Sequence, residues 1–104
     1  MKIYLALPYT GQENYSFQVA NNEAGQLMKQ GHIVFSPISH THPIAVECGL
    51  PTDWDYWKVF DTAFIEWCDQ LYVLCLDGWV SSTGVNAEIE IAKELGKPVV
   101  LNYI

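Results

Sequence analysis

The sequence predicts an α/β fold, a three-layer sandwich around a parallel sheet of about four strands in a Rossmann-like or flavodoxin-like βαβαβαβ order. Two observations carry this: short apolar runs of the kind buried on both faces of a parallel sheet, and longer segments of helical periodicity between them. With 104 residues, 50% of them hydrophobic, one domain over 1–104 is expected, with a real but modest core that leaves room for oligomerisation to complete a site.

Ile3 to Leu7 is a continuous apolar run stopped by Pro8 and reads as the first strand. Asn14 to Gln30 carries Phe17, Ala20, Ala24, Leu27 and Met28 at helical spacing, with Gly31 as its closing residue. His32 to Ser36 is a second strand halted by Pro37. Ile38 to Pro51, with two histidines, two prolines and a glycine, reads as an irregular loop. Thr52 and Asp55 resemble a capping box for a helix from Asp53 to about Cys68. Leu71 to Leu76 is the clearest buried strand, ended by the Asp77-Gly78 turn. Ser81 or Ser82 then caps a helix to Leu95, Gly96 closes it, and Lys97 to Tyr103 is the last strand.

Composition narrows the partners. The net charge is −7 and all five basic residues are lysines (Lys2, Lys29, Lys58, Lys93, Lys97). Binding to a nucleic acid polymer draws on clustered cations and is not expected. With no guanidinium fork, any anion must be held by backbone N–H groups and hydroxyls. Cys48, Cys68 and Cys75 show no CxxC spacing, so reduced, mostly buried thiols are expected rather than disulfides or zinc ligands. No run reaches the roughly 18 apolar residues of a membrane span, and no signal peptide is evident, so a soluble cytoplasmic protein is expected. The first strand is not followed by GxGxxG, and no flavin, metal or other cofactor is expected.

Ligands of parallel sheets bind beyond the carboxyl ends of the strands, which points to Pro8 to Gln12, Ile38 to Pro43 and Asp77 to Ser82. Pro8, Thr10 and Gly11 in the first segment, and Ser82, Thr83 and Gly84 at the start of the last helix, are candidate substrate contacts. Glu88 lies about one and a half turns into that helix, where its side chain leans back toward the same cleft, although spacing alone suits a solvated surface glutamate too. Asp61 interrupts an apolar stripe between Trp57 and Phe64, so a raised pKa and a proton-donor role are expected unless it reaches water at the boundary. Tyr4 is either a core tyrosine or a phenol orienting Glu88. His40 and His42 are weak as a metal pair and are read as substrate contacts. Trp54, Tyr56, Trp57 and Trp79 offer faces for a nucleobase or for packing, and Trp67 a face for an interface between copies.

Four features at these separations resemble the nucleoside 2-deoxyribosyltransferase-like superfamily, which includes deoxynucleoside 5′-monophosphate N-glycosidases. They are the Ile-Tyr-Leu strand with Tyr4, Asp61 eight residues before Asp69, the Ser-x-Gly-x-x-x-Glu run ending at Glu88, and Ala-Lys-Glu-Leu-Gly-Lys-Pro over 92–98. The Leu-Pro-Tyr opening and the Ser-His-x-His-Pro segment are similar to those of a short branch of that superfamily. The resemblance implies hydrolysis or transfer at the N-glycosidic bond of a (deoxy)nucleotide or nucleoside. Glu88 would form a glycosyl ester, Asp61 would protonate the leaving base, and Tyr4 would orient the nucleophile. Ser82, where transferases acting on free nucleosides carry an acid, implies a 5′-phosphate. A homodimer or homotetramer is expected, and the rival reading is a catalytically silent nucleotide-binding module on the same fold.

Overall fold

The computed structural model describes residues 1–103. Four strands form one sheet: β1 (Lys2–Ala6), β2 (Ile33–Phe35), β3 (Gln70–Cys75) and β4 (Val99–Tyr103). Four helices join them: α1 (Glu13–Lys29), α2 (Pro37–Cys48), α3 (Trp54–Trp67) and α4 (Thr83–Glu94), with a 3₁₀ turn at Trp79–Ser81 before α4. The sheet order is β2-β1-β3-β4 and every pairing is parallel, with Tyr4 opposite Phe35 on one side and Leu71 on the other.

Strand periodicity divides the core into two halves. Tyr4, Ala6, Leu71, Val73 and Cys75 face a cluster with Ile65, Cys68, Val85 and Ala92 from the α3 and α4 side. Leu5, Leu7, Leu74 and Leu76 face Ala20, Ala24 and Ile38 from the α1 and α2 side. Both faces of β1 and β3 are therefore dry, which is why those segments read as unbroken apolar runs.

The segment expected as a loop over 38–51 is mostly the helix α2, which makes the element order βαβααβαβ. Ser36 caps it by accepting from the Ser39 N–H at 3.4 Å, Pro37 occupies the first turn, and Gly49 closes it at φ +66°. Proline at the start and glycine past the end are helix boundaries as well as breakers. Read as breakers, they hid α2, and so did Pro43, which the helix carries in its interior.

The expected capping box at Thr52 does not form. Asp53 is the N-cap of α3, without a side-chain bond, and the Thr52 carbonyl instead accepts from Thr10 Oγ1 at 3.2 Å. That bond ties the loop after β1 to the entry of α3. At α4 the expectation holds at Ser82, whose hydroxyl accepts from the Val85 N–H at 3.2 Å. Cys48, Cys68 and Cys75 are all free thiols, and Cys48 is exposed.

The chain leaves β1 toward β2 on one side and β3 toward β4 on the other, so the strand order reverses between β1 and β3. The connecting loops separate there, and a crevice opens at the carboxyl edge.

Candidate active site

The crevice is a cavity of about 530 Å³ walled by the loops after β1 and β3, the start of α2 and the first turns of α3 and α4. Tyr4, Asp61 and Glu88 come together at its base from β1, α3 and α4. Tyr4 is fully buried, because an interior strand covered on both faces leaves its ring nowhere else to go, and its hydroxyl donates to Glu88 Oε2. Glu88 and Asp61 are 6% and 7% exposed, and both carboxyls line the cavity. Asp61 Oδ1 is buried without a hydrogen-bond partner.

A buried carboxyl without a cation beside it holds its proton more tightly. Burial pushes Asp61 up to about 7. Burial, and then repulsion from Asp61, push Glu88 up to about 8. The Tyr4 phenol opposes both rises, by hydrogen bonding to the ionised forms. Burial and the two acids raise Tyr4 itself well above its usual value, so it stays a donor. The two carboxyls interact, so they titrate as a pair and ionisation of one opposes ionisation of the other.

Of the predicted substrate contacts, Pro8, Thr10, Ser82, Thr83 and Gly84 line the cavity, whereas Gly11, His40 and His42 do not. His42 lies on α2 with its ring turned inward, where Nδ1 pairs with the Tyr9 hydroxyl at 2.7 Å and Nε2 with Asn14 Oδ1 at 3.2 Å. It thereby braces Tyr9, which does line the cavity. His40 is exposed and stacks on Phe60, their ring centroids 5.9 Å apart. Gly11 is exposed and directs its N–H to Glu13 at 2.6 Å. All three positions were read within irregular backbone; α2 fixes the directions of the two histidines.

Trp54 and Trp57 line the cavity, and Tyr56 and Trp79 stand outside it. Trp54 lies across the start of α4, its Cε3 3.8 Å from where a Cβ on Gly84 would stand. Trp57 is anchored by its Nε1, which donates to the Pro51 carbonyl at 2.8 Å. Trp67 is half-buried against the core, with Lys2 Nζ 5.4 Å from its ring centroid. Asp53 and Asp55 line the cavity too and were missed, because acids in a first helical turn read as partners of the helix dipole. No group of three or more His, Cys, Asp or Glu side chains with metal-site geometry occurs among the described residues.

The parallel β2-β1-β3-β4 sheet carries a tyrosine and two carboxyls at its switch point, and the chain belongs to the nucleoside 2-deoxyribosyltransferase-like superfamily. Within it, residues 1–103 match the family described as "Domain of unknown function (DUF1937)". A solved structure of a 2-deoxyribosyltransferase from the psychrotolerant bacterium Bacillus psychrosaccharolyticus is similar over 99% of this chain and 72% of that one, with 30% identity and a TM-score of 0.66. No curated protein sequence matches significantly. No helix among the described residues is long and apolar enough to cross a membrane.

Proposed function

We propose that the protein cleaves the N-glycosidic bond of a (deoxy)nucleoside or its nucleotide and passes the sugar to water or to a second base. The observation that carries this reading is the Tyr4 hydroxyl donating to Glu88, with Asp61 beside them on one cavity wall. A hydrogen bond to one carboxylate oxygen leaves the other free to attack and opposes the rise that burial gives Glu88; the reactive form is the one in which Glu88 is ionised and Asp61 holds the proton the pair shares. In the first step Glu88 bonds to the anomeric carbon as the bond from that carbon to the base nitrogen breaks. The electron pair goes to the base, which takes the Asp61 proton. In the second step Asp61, now ionised, removes a proton from water or an acceptor base, whose attack on the anomeric carbon frees Glu88.

The aromatic faces of Trp54 and Trp57 suit a base, and the start of α4 suits the 5′ end of the sugar. A 5′-phosphate, the expectation resting on Ser82, would find a hydroxyl and the N–H groups of Thr83 and Gly84 but no cation. Incubation with deoxynucleosides and their monophosphates, read as free base by chromatography, tests the activity. Release that Glu88→Gln lowers at least about a hundredfold is expected. Release unchanged in that variant, or absent with every substrate, rejects it.

A further inference from the structure

Every ionisable carboxyl or basic group on the cavity wall is an acid. Asp53, Asp55, Asp61, Asp77 and Glu88 all line it, and no Lys, Arg or His does. If both buried acids were neutral, three exposed carboxylates would remain around the mouth. Against them stands only the partial positive end of α4, equivalent to roughly half a charge. One of its donors, the Val85 N–H, is already taken by Ser82. A phosphate placed there would meet several like charges and no counter-ion.

The same wall suits a cation. Trp54, Trp57 and Tyr9 offer aromatic faces among the carboxylates, and aromatic faces with carboxylates nearby are the usual surroundings of a bound organic cation. Asp61 is the independent pointer to a ligand. It is more than nine-tenths buried and lines the cavity, and its Oδ1 has no partner within the protein. An oxygen so placed needs a donor or a positive charge from whatever fills the space.

Resting on the glycosidic reading above, we infer that the preferred substrate is a nucleoside without a 5′-phosphate whose base carries a positive charge. With a fixed cation the chemistry simplifies. Glu88 bonds to the anomeric carbon, the carbon–nitrogen bond breaks, and its electron pair neutralises the base, which leaves without a proton. Asp61 is then needed as a carboxylate from the outset, to accept the proton of the incoming water. With a neutral base Asp61 must first supply a proton, so the two substrate types make opposite demands on it.

Three ligands of nearly one shape separate the charges: nicotinamide riboside, with a fixed pyridinium; dihydronicotinamide riboside, which is neutral; and nicotinamide mononucleotide, which adds the 5′-phosphate. Calorimetric titration of the intact protein at low salt is expected to rank the riboside at least roughly tenfold tighter than either of the others. That margin should shrink when salt is raised to physiological strength or above, and again in the Asp55→Asn, Asp77→Asn double variant. Equal or tighter binding of the mononucleotide or of the neutral analogue overturns the inference, as does a ranking indifferent to salt and to those two substitutions. Base release is followed in parallel on the same ligands and on ordinary nucleosides. Glu88-dependent release with no charge ranking rejects this inference alone. The charge ranking without release from any substrate rejects the glycosidic reading and leaves the binding preference standing.

Discussion

Replacing Glu88 by glutamine should make the protein more stable at alkaline pH, by an amount set by how strongly the fold opposes the ionised carboxylate. Glu88 is 6% exposed and its pKa in the folded chain rises to about 8 from an ordinary 4.5. That rise corresponds to roughly 5 kcal/mol of differential stability between the protonated and ionised forms. Part of it is repulsion from Asp61, and the cavity is open to water on one side, so a net effect of about 2–4 kcal/mol is expected. The sign follows from which state holds the proton. Between 4.5 and 8 the folded chain binds a proton that the unfolded chain has released, so stability falls with rising pH across this window. The contribution is intact below the unfolded value and lost as pH passes the folded one. Glutamine fits the same space, can still accept from Tyr4 and does not titrate. Urea unfolding of wild type and Glu88→Gln at intervals from pH 5 to pH 9 reads the difference directly. The two should lie close together at pH 5 and diverge by about 2–4 kcal/mol at pH 9, or roughly 10–20 °C in melting temperature for a domain this small. Parallel curves over the whole range, or a variant that loses more stability than wild type, would refute a desolvated Glu88.

Tyr4→Phe keeps the buried ring and removes the donor to Glu88, so the chain should remain folded while base release falls roughly ten- to hundredfold and the acidic limb of its pH profile moves upward; a profile that stays in place contradicts the orienting role. Asp61→Asn should depress release from a neutral nucleoside and remove the alkaline limb of the profile, because the acid that must hold its proton up to about pH 7 is gone; steady-state rates from pH 5 to pH 9 check it. Ser82→Ala removes the side-chain cap of α4 and should cost about 1 kcal/mol, read as a fall of roughly 4–8 °C in melting temperature. Gly49→Ala places a side chain at φ +66°, so a loss of about 1 kcal/mol is expected although a Cβ there would touch nothing; an unchanged melting temperature would show that α2 does not end in that conformation.

The sheet was legible in the sequence chiefly through its interior strands β1 and β3, which are buried on both faces, and an apolar run of five or six residues between helical periods has few other uses. The boundaries of α1 and α4 were legible for a related reason: Gly31 and Gly96 adopt positive φ, which is costly for other residues. The place of Tyr4 in the first strand and the spacing of Glu88 from Gly84 pointed both toward one edge, while leaving a core tyrosine and a surface glutamate as alternatives. α2 was not legible, since Pro37, Pro43 and Gly49 have the same letters whether they bound a helix or break one. Only tertiary packing decides between those uses, by offering Ile38 and Ala45 a buried face to settle against.

For the site, spacing pointed Tyr4 and Glu88 toward one edge and marked Asp61 as an acid in an apolar stripe, because strand and helix periods fix where side chains point; the family resemblance joined the three. Whether they share one cavity, how far their proton affinities rise, which way the two histidines turn and what charge lines the walls were decided by the tertiary structure. Those properties depend on what lies across the cavity, and residues as remote in sequence as Tyr4, Asp61 and Glu88 become neighbours only when the crossovers wrap the sheet.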